Sequence, residues 1–327
     1  MKPIPFANRQ CMRSFVLGFF FVMIGWLVLV PSVNAQNTNP DTPLIAIMSA
    51  FEPELKRLLA QTEVEETRRI NGIDFTVGTL KEQPVVLFLS GISMVNAAMT
   101  TQLVIDKFPI EAIVFSGIAG GVDPALNIGD VVVAERWGQY LEALFARKNP
   151  DADVEGEAYL PPEGKSGLGY KNFGMIFPRR VRVRSASQPE IHEKFWFEVD
   201  SQLMARAQGL DNIELQACSE PQTCLSSTPK VVIGGNGVSG AVFVDNARFR
   251  QYALETFDAS VLDMESAACA TVAYSNDIPF IAFRSLSDLA GGGPGENEMH
   301  TFLEIAAENS ARVVLRYLEG WDDHTAP

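Results

Sequence analysis

The sequence predicts an α/β fold with a mostly parallel sheet covered by helices. Two observations carry this expectation. Short apolar runs alternate with amphipathic segments from residue 44 to 318, the pattern left by strands buried beneath helices. Polar and acidic residues then follow directly on several of those runs, at the strand ends where open α/β sheets bind ligands.

Each element has its own signal. Residues 44–50, LIAIMSA, form the first strand, and Pro53 suits the opening turn of the helix after it, where a missing N–H costs nothing. Residues 85–90 make the next central strand. The spacing of Val95, Met99 and Leu103 predicts a helix over 94–108 with those three on its buried stripe. A buried strand at 112–116 runs into Gly117, Gly120 and Gly121. Further strands are expected at 130–134, 230–233 and 279–284, and helices at 264–274 and 301–318. Between Trp137 and Pro229 the periodicity fades over more residues than a simple connection needs. That stretch, 137–229, reads as an insertion that decorates the domain and shapes the mouth of a site.

The N-terminus reads as a targeting segment. Lys2, Arg9 and Arg13 precede an apolar run from Phe15 to Val30, and Val33-Asn34-Ala35 offers small residues for cleavage. The run is slightly short of the roughly 17–25 residues that span a bilayer. A signal peptide at 1–35 and an exported, periplasmic protein are therefore expected, with an uncleaved membrane anchor as the alternative. Residues 36–43 read as a disordered leader and 321–327 as a flexible tail.

The whole chain carries a formal charge of −14, and segment 1–35 holds three basic and no acidic residues, so the remainder carries −17. Such a surface repels nucleic acid and anionic lipid, which favours a small-molecule partner and no stable membrane association after cleavage. The remaining length suffices for one large α/β domain or two ordinary ones. Cys218 and Cys224 flank Pro221 in ACSEPQTC and are expected to pair in an oxidising compartment. Zinc is the alternative there, but His192, His300 and His324 supply no ligand spacing near the pair. Cys269, in MESAACATVAY, reads as a small buried residue. No metal or cofactor is expected.

Four segments hold residues suited to chemistry. Glu52 and Glu54 follow the first strand, where carboxylates also simply complement a helix dipole. SGIAGG, residues 116–121, is a glycine-rich strand exit of a kind that binds phosphate or only lets backbones pass closely. Asp263 and Glu265 open an otherwise apolar helix, and Glu265 either faces solvent or accepts hydrogen bonds from vicinal hydroxyls. Arg284 and Asp288 end the last buried strand, where they must pair with each other or serve a ligand.

In order and spacing these segments resemble the 5′-methylthioadenosine/S-adenosylhomocysteine nucleosidases and, more broadly, the nucleoside phosphorylase superfamily. The matching pieces are IAIMSAFEPELKRLL, LSGISMVNAA, VFSGIAGGVDPALNIGDVVV, SGAVFVDNARFR, VLDMESAACATVA and IPFIAFRSLSDLAGG, which cover residues 44–318 apart from the middle stretch. The resemblance implies a single domain, 44–320, with a central mixed β-sheet flanked by helices, and hydrolysis of the bond between a purine and its ribose. By that resemblance Glu54 activates water, with Arg284 near it, and Asp288 protonates the purine N7 with support from Ser287. Glu265 grips the ribose hydroxyls, Met264 packs on the sugar, and Phe243 and the backbone of Val244 hold the base. Ile118 stands where compact nucleosidases place a serine, which implies an altered contact near the sugar.

Chemistry adds two expectations. Asp288 must be protonated to act, which needs a desolvated site, whereas Arg284 should keep Glu54 ionised. A phosphorylase would need cations at the first strand exit, where Glu52 and Glu54 stand instead, so water is the favoured nucleophile. A phosphate-dependent phosphorylase is one alternative. A non-catalytic nucleoside-binding or storage protein, like the plant vegetative and bark storage proteins of the same superfamily, is another. The resemblance also implies a homodimer or larger homo-oligomer.

Overall fold

The computed structural model describes residues 42–150, 159, 170–219 and 223–321. The expected signal peptide, most of the leader and all of the tail except Trp321 lie outside the described residues. Trp321 itself is no loose end. It is buried against Tyr317, and its indole N–H donates to Glu111 at 2.9 Å.

The chain opens with β1 (Leu44–Ser49), α1 (Glu52–Gln61), β2 (Glu63–Ile70), β3 (Ile73–Leu80), β4 (Gln83–Leu89), α2 (Met94–Lys107) and β5 (Ile110–Gly121). β6 (Val131–Val133) and β7 (Arg136–Gln139) follow, then β8 (Ala143–Phe145), β9 (Ile176–Pro178), β10 (Val181–Val183), β11 (His192–Lys194), β12 (Trp196–Glu198) and α3 (Ser201–Gln208). The short β13 (Cys218–Ser219) and β14 (Thr223–Cys224) lead to β15 (Val231–Ile233), β16 (Asn236–Ser239) and α4 (Ala247–Phe257). β17 (Ala259–Asp263), α5 (Ser266–Ser275), β18 (Phe280–Asp288) and α6 (Met299–Leu318) complete the set.

Twelve strands form one mixed sheet in the order β12-β7-β16-β17-β5-β1-β4-β3-β2, with β18 pairing both β5 and β6, and β6 pairing β15. Helices flank it: α1 packs with α6, and α6 lies on β5 and β18, while α2 packs with α5. All described residues fall in one compact unit. The core is built from the wholly buried β1 and β18 and from β5 between them, whose Ala112–Ser116 segment is buried. No helix among the described residues is long and apolar enough to cross a membrane.

Four expectations change on contact with the structure. Residues 62–83, assigned no element from sequence, form two hairpins. The first turns at Asn71-Gly72, both with positive φ (52° and 83°), a pair that twists with the strands it joins. β2 is an edge strand exposed up to its last residue, the half-buried Ile70, so its sequence EVEETRRI carries no apolar alternation to read. The glycines after Ser116 do not end β5; the strand runs on through Gly121. Part of the 137–229 stretch also belongs to the main sheet, since β12 pairs with β7 antiparallel and β7 pairs with β16.

The fourth change concerns α2. The helix forms where expected, but its buried face is Ala97, Thr100, Thr101 and Val104, whereas Val95 is 80% and Met99 51% exposed. Small side chains win that face because they let α2 approach α5 closely. The threonine hydroxyls are satisfied there, Thr101 donating to the Ala97 carbonyl at 2.7 Å and Thr100 to the Ser90 carbonyl at 3.1 Å. Cys218 and Cys224 are joined as a disulfide, and Cys269 is a free, buried thiol.

Candidate active site

The site begins at a break in the sheet. Along one edge of β5, residues 112–115 pair with β1, and Gly120 and Gly121 pair with β17 running the other way. Between them the edge at residues 116–119 has no strand beside it. Backbone groups left open there need partners, and charged side chains supply them. Ile118 N–H donates to Glu54 Oε1 at 2.7 Å, and Arg284 Nη1 donates to the Ile118 carbonyl at 3.2 Å. The opening is a cavity of about 300 Å³, at the small end of the ~300–1,000 Å³ typical of ligand sites.

Glu54 reaches this gap from the first turn of α1. Its other oxygen accepts from Ala50 N–H at 2.7 Å and from Phe51 N–H at 3.4 Å, and the residue is 1% exposed. Burial raises its pKa, opposed by Arg284 and by the three backbone donors. Arg284, 4.0 Å away at its nearest nitrogen, favours the ionised form as expected, but desolvation is the larger influence. Gly117 is required where these chains meet, because a Cβ there would collide with Arg284 Nη1 and lie 2.7 Å from Glu54 Oε1.

Arg284 does not line the cavity, and of the two readings open from sequence, pairing with Asp288 does not occur: its ion pairs are with Asp263, Glu265 and Glu54. It lies fully buried behind the carboxylates, with Nε 2.8 Å from Asp263 Oδ2 and Nη2 3.6 Å from Glu265 Oε2. Its guanidinium stacks over Phe115, 3.9 Å from the ring centroid. Burial disfavours its charge, but Asp263, Glu265 and Glu54 outweigh that and the net direction is upward.

Asp263 was singled out from sequence beside Glu265 but given no role in the site, and the structure supplies one. It ends β17 and accepts from Ser239 Oγ, from Ser266 Oγ and from the N–H groups of Glu265 and Ser266. These bonds fix the turn that points Glu265 into the cavity. Glu265 Oε1 then accepts Ser93 N–H at 2.8 Å. Ser93 holds a φ of 82°, a left-handed region that serine rarely occupies. Burial pushes the Glu265 carboxyl up to about 7, against the pull of Arg284.

Asp288 belongs to a separate environment. Ser287 Oγ donates to it at 2.9 Å, Ala290 N–H at 2.8 Å and Asn297 Nδ2 at 3.4 Å. Burial again raises its pKa, the direction a proton donor needs. Glu54, Ile118, Phe243, Val244, Met264, Glu265, Ser287 and Asp288 all line the one cavity. Phe243 stands at its rim, 53% exposed, while Val244 is buried. Phe51, Ile92, Met299, His300 and Leu303 also line it and were not assigned to the site from sequence.

An α/β sheet opened at a strand switch, with carboxylates and a buried arginine around the gap, is the architecture of a glycosidic-bond enzyme, and residues 44–319 match the phosphorylase superfamily. The 5′-methylthioadenosine/S-adenosylhomocysteine nucleosidase of Staphylococcus aureus is 30% identical over 272 residues, covering 83% of this chain and 97% of the relative. That of Mycobacterium tuberculosis is 28% identical over 278 residues, 84% of this chain and 96% of its own. The crystal structure of the Colwellia psychrerythraea enzyme with adenine is 26% identical, with a TM-score of 0.60 over 85% of this chain and 95% of that one. The chain belongs to the 5′-methylthioadenosine/S-adenosylhomocysteine nucleosidase family of that superfamily.

Proposed function

We propose that the protein hydrolyses the N-glycosidic bond of 5′-methylthioadenosine, S-adenosylhomocysteine or a related purine nucleoside, with water as the nucleophile. The observation that carries this reading is the separation of carboxyl environments within one cavity. Glu54 and Glu265 flank the buried Arg284, whereas Asp288 has only neutral donors around it. Cleavage builds positive charge on the ribose and negative charge on the base, so carboxylates belong at the sugar and a neutral acid at the base.

The roles follow. Phe243 and the backbone of Val244 hold the purine, Met264 and Ile118 contact the sugar side, and Glu265 accepts hydrogen bonds from the ribose hydroxyls. As the C1′–N9 bond breaks, its electrons pass to the purine and Asp288, held by Ser287, gives its proton to N7. Water attacks C1′ and Glu54 takes its proton. Arg284 acts from behind, fixing both glutamates without touching the nucleoside. The raised pKa of Glu54 makes it a stronger base than a solvated carboxylate.

Hydrolysis is favoured over phosphorolysis because the cavity lining includes no lysine or arginine and four acidic residues, Glu54, Asp263, Glu265 and Asp288. That wall repels a phosphate dianion. The purified protein should release adenine from methylthioadenosine without phosphate, and Asp288→Asn should lower turnover about 10²-fold or more. Strict phosphate dependence would make it a phosphorylase, and binding without turnover would favour a storage or transport role.

Export and self-association are part of the same proposal. The basic, apolar and small-residue order of 1–35 fits a cleaved signal, and a Cys218–Cys224 disulfide fits an oxidising compartment such as the periplasm. Ile92, Val95 and Met99 form an exposed apolar strip, and Ile92 also lines the cavity. A second copy packed on that strip would bury it and close the mouth of the site.

A further inference from the structure

His300 is the one basic side chain that lines the cavity. It stands in the first turn of α6 beside Met299, and Leu303 follows one turn on, so the three form one patch of wall. Its ring makes no hydrogen bond or ion pair among the described residues.

The position of His300 relative to a bound nucleoside follows by elimination. Asp288, Phe243 and Val244 take the base, and Glu265 and Met264 take the ribose. Ala50, Ala119, Gly120, Val242, Leu262 and Asp263 also line the cavity, but they adjoin Glu54, Ile118 or the residues given to the base and ribose, which leaves Phe51, Ile92, Met299, His300 and Leu303 to face the 5′ carbon. Four of these are apolar and suit a thioether. The acids Glu54, Asp263, Glu265 and Asp288 repel a carboxylate, so one carried on the 5′ substituent has a single basic neighbour in the wall, the exposed His300.

We propose that His300 is a specificity-determining residue that recognises a carboxylate on the 5′ substituent, favouring nucleosides that end in an amino acid over those that end in a bare alkyl group. The inference rests on the nucleosidase reading given above. It is tested by kcat/KM of the wild-type, His300→Ala and His300→Arg proteins on three probes: S-adenosylhomocysteine, its carboxyl methyl ester and methylthioadenosine. In His300→Ala the ratio for S-adenosylhomocysteine over methylthioadenosine should fall about tenfold, the size of one charge-assisted bond at a partly exposed site. The ester should show no such fall, and His300→Arg should keep the preference. Equal losses on all three probes, or an unchanged ratio, would overturn the role of His300 while leaving the nucleosidase reading intact. A wild-type protein that frees adenine from none of the three would sink that reading, and this inference with it.

Discussion

Arg284 Nε lies 2.8 Å from Asp263 Oδ2, and neither side chain is more than 1% exposed. Asp263 also accepts hydrogen bonds from Ser239, Glu265 and Ser266, so one buried carboxylate joins β16, β17, the start of α5 and β18. Removing one partner of such a pair strands the other charge, at a cost of about 3–5 kcal/mol. Asp263→Ala should lower the unfolding free energy by that amount in urea titrations. A wild-type midpoint would show that the pair is not what holds these elements.

Gly117 sets a second constraint, of space rather than charge. Its α-hydrogen faces the point where Glu54 and Arg284 come together, and an added methyl would have to push one of them away. Misplacing a catalytic group by about 1 Å costs on the order of 10² in rate. Gly117→Ala should therefore lower kcat about 10²-fold while KM for methylthioadenosine changes much less. A variant with both constants unchanged would mean that Glu54 tolerates displacement.

The sequence made the strands of the core legible because β1, β5 and β18 are buried on both faces and read as apolar runs. Glu54, Glu265 and Asp288 were legible as acids placed at the ends of such runs. The role of Asp263 was not, because a buried acid shows its purpose only through its cation, and Arg284 lies 21 residues further on in a different strand. The α2 face was misread for a related reason. Apolar spacing marks a stripe, but Val95 and Met99 face outward while alanine and threonine make the close helix contact. The hairpin at Asn71-Gly72 did carry a signal in its turn residues, although the exposed edge strand beside it gave none.

The carboxyl groups predict a dependence of stability on pH. Burial raises Glu54, Glu265 and Asp288 above their ordinary values, with Glu265 at about 7. Between pH 4.5 and 7 the folded protein holds a proton on Glu265 that the unfolded chain has released, so stability falls as pH rises through that window. The contribution is complete below about pH 4.5 and lost above about pH 7. Thermal midpoints should decline from pH 5 to pH 8, and the decline should be shallower in Glu265→Gln. An equally steep decline in that variant would assign the effect to other groups.

The exposed strip on α2 predicts self-association. Val95 and Met99 lie one helical turn apart on the open face, with Ile92 just before the helix. Three apolar side chains aligned at the edge of a cavity are unfavourable in water unless something covers them. Val95 is 80% exposed, so Val95→Glu should leave the unfolding free energy within about 0.5 kcal/mol of wild type. It should nevertheless shift sedimentation from dimer towards monomer and raise KM, because Ile92 would lose the neighbour that closes the cavity. A wild-type protein that sediments as a monomer at micromolar concentration would refute the idea, and α2 would then be an open rim that substrate crosses unaided.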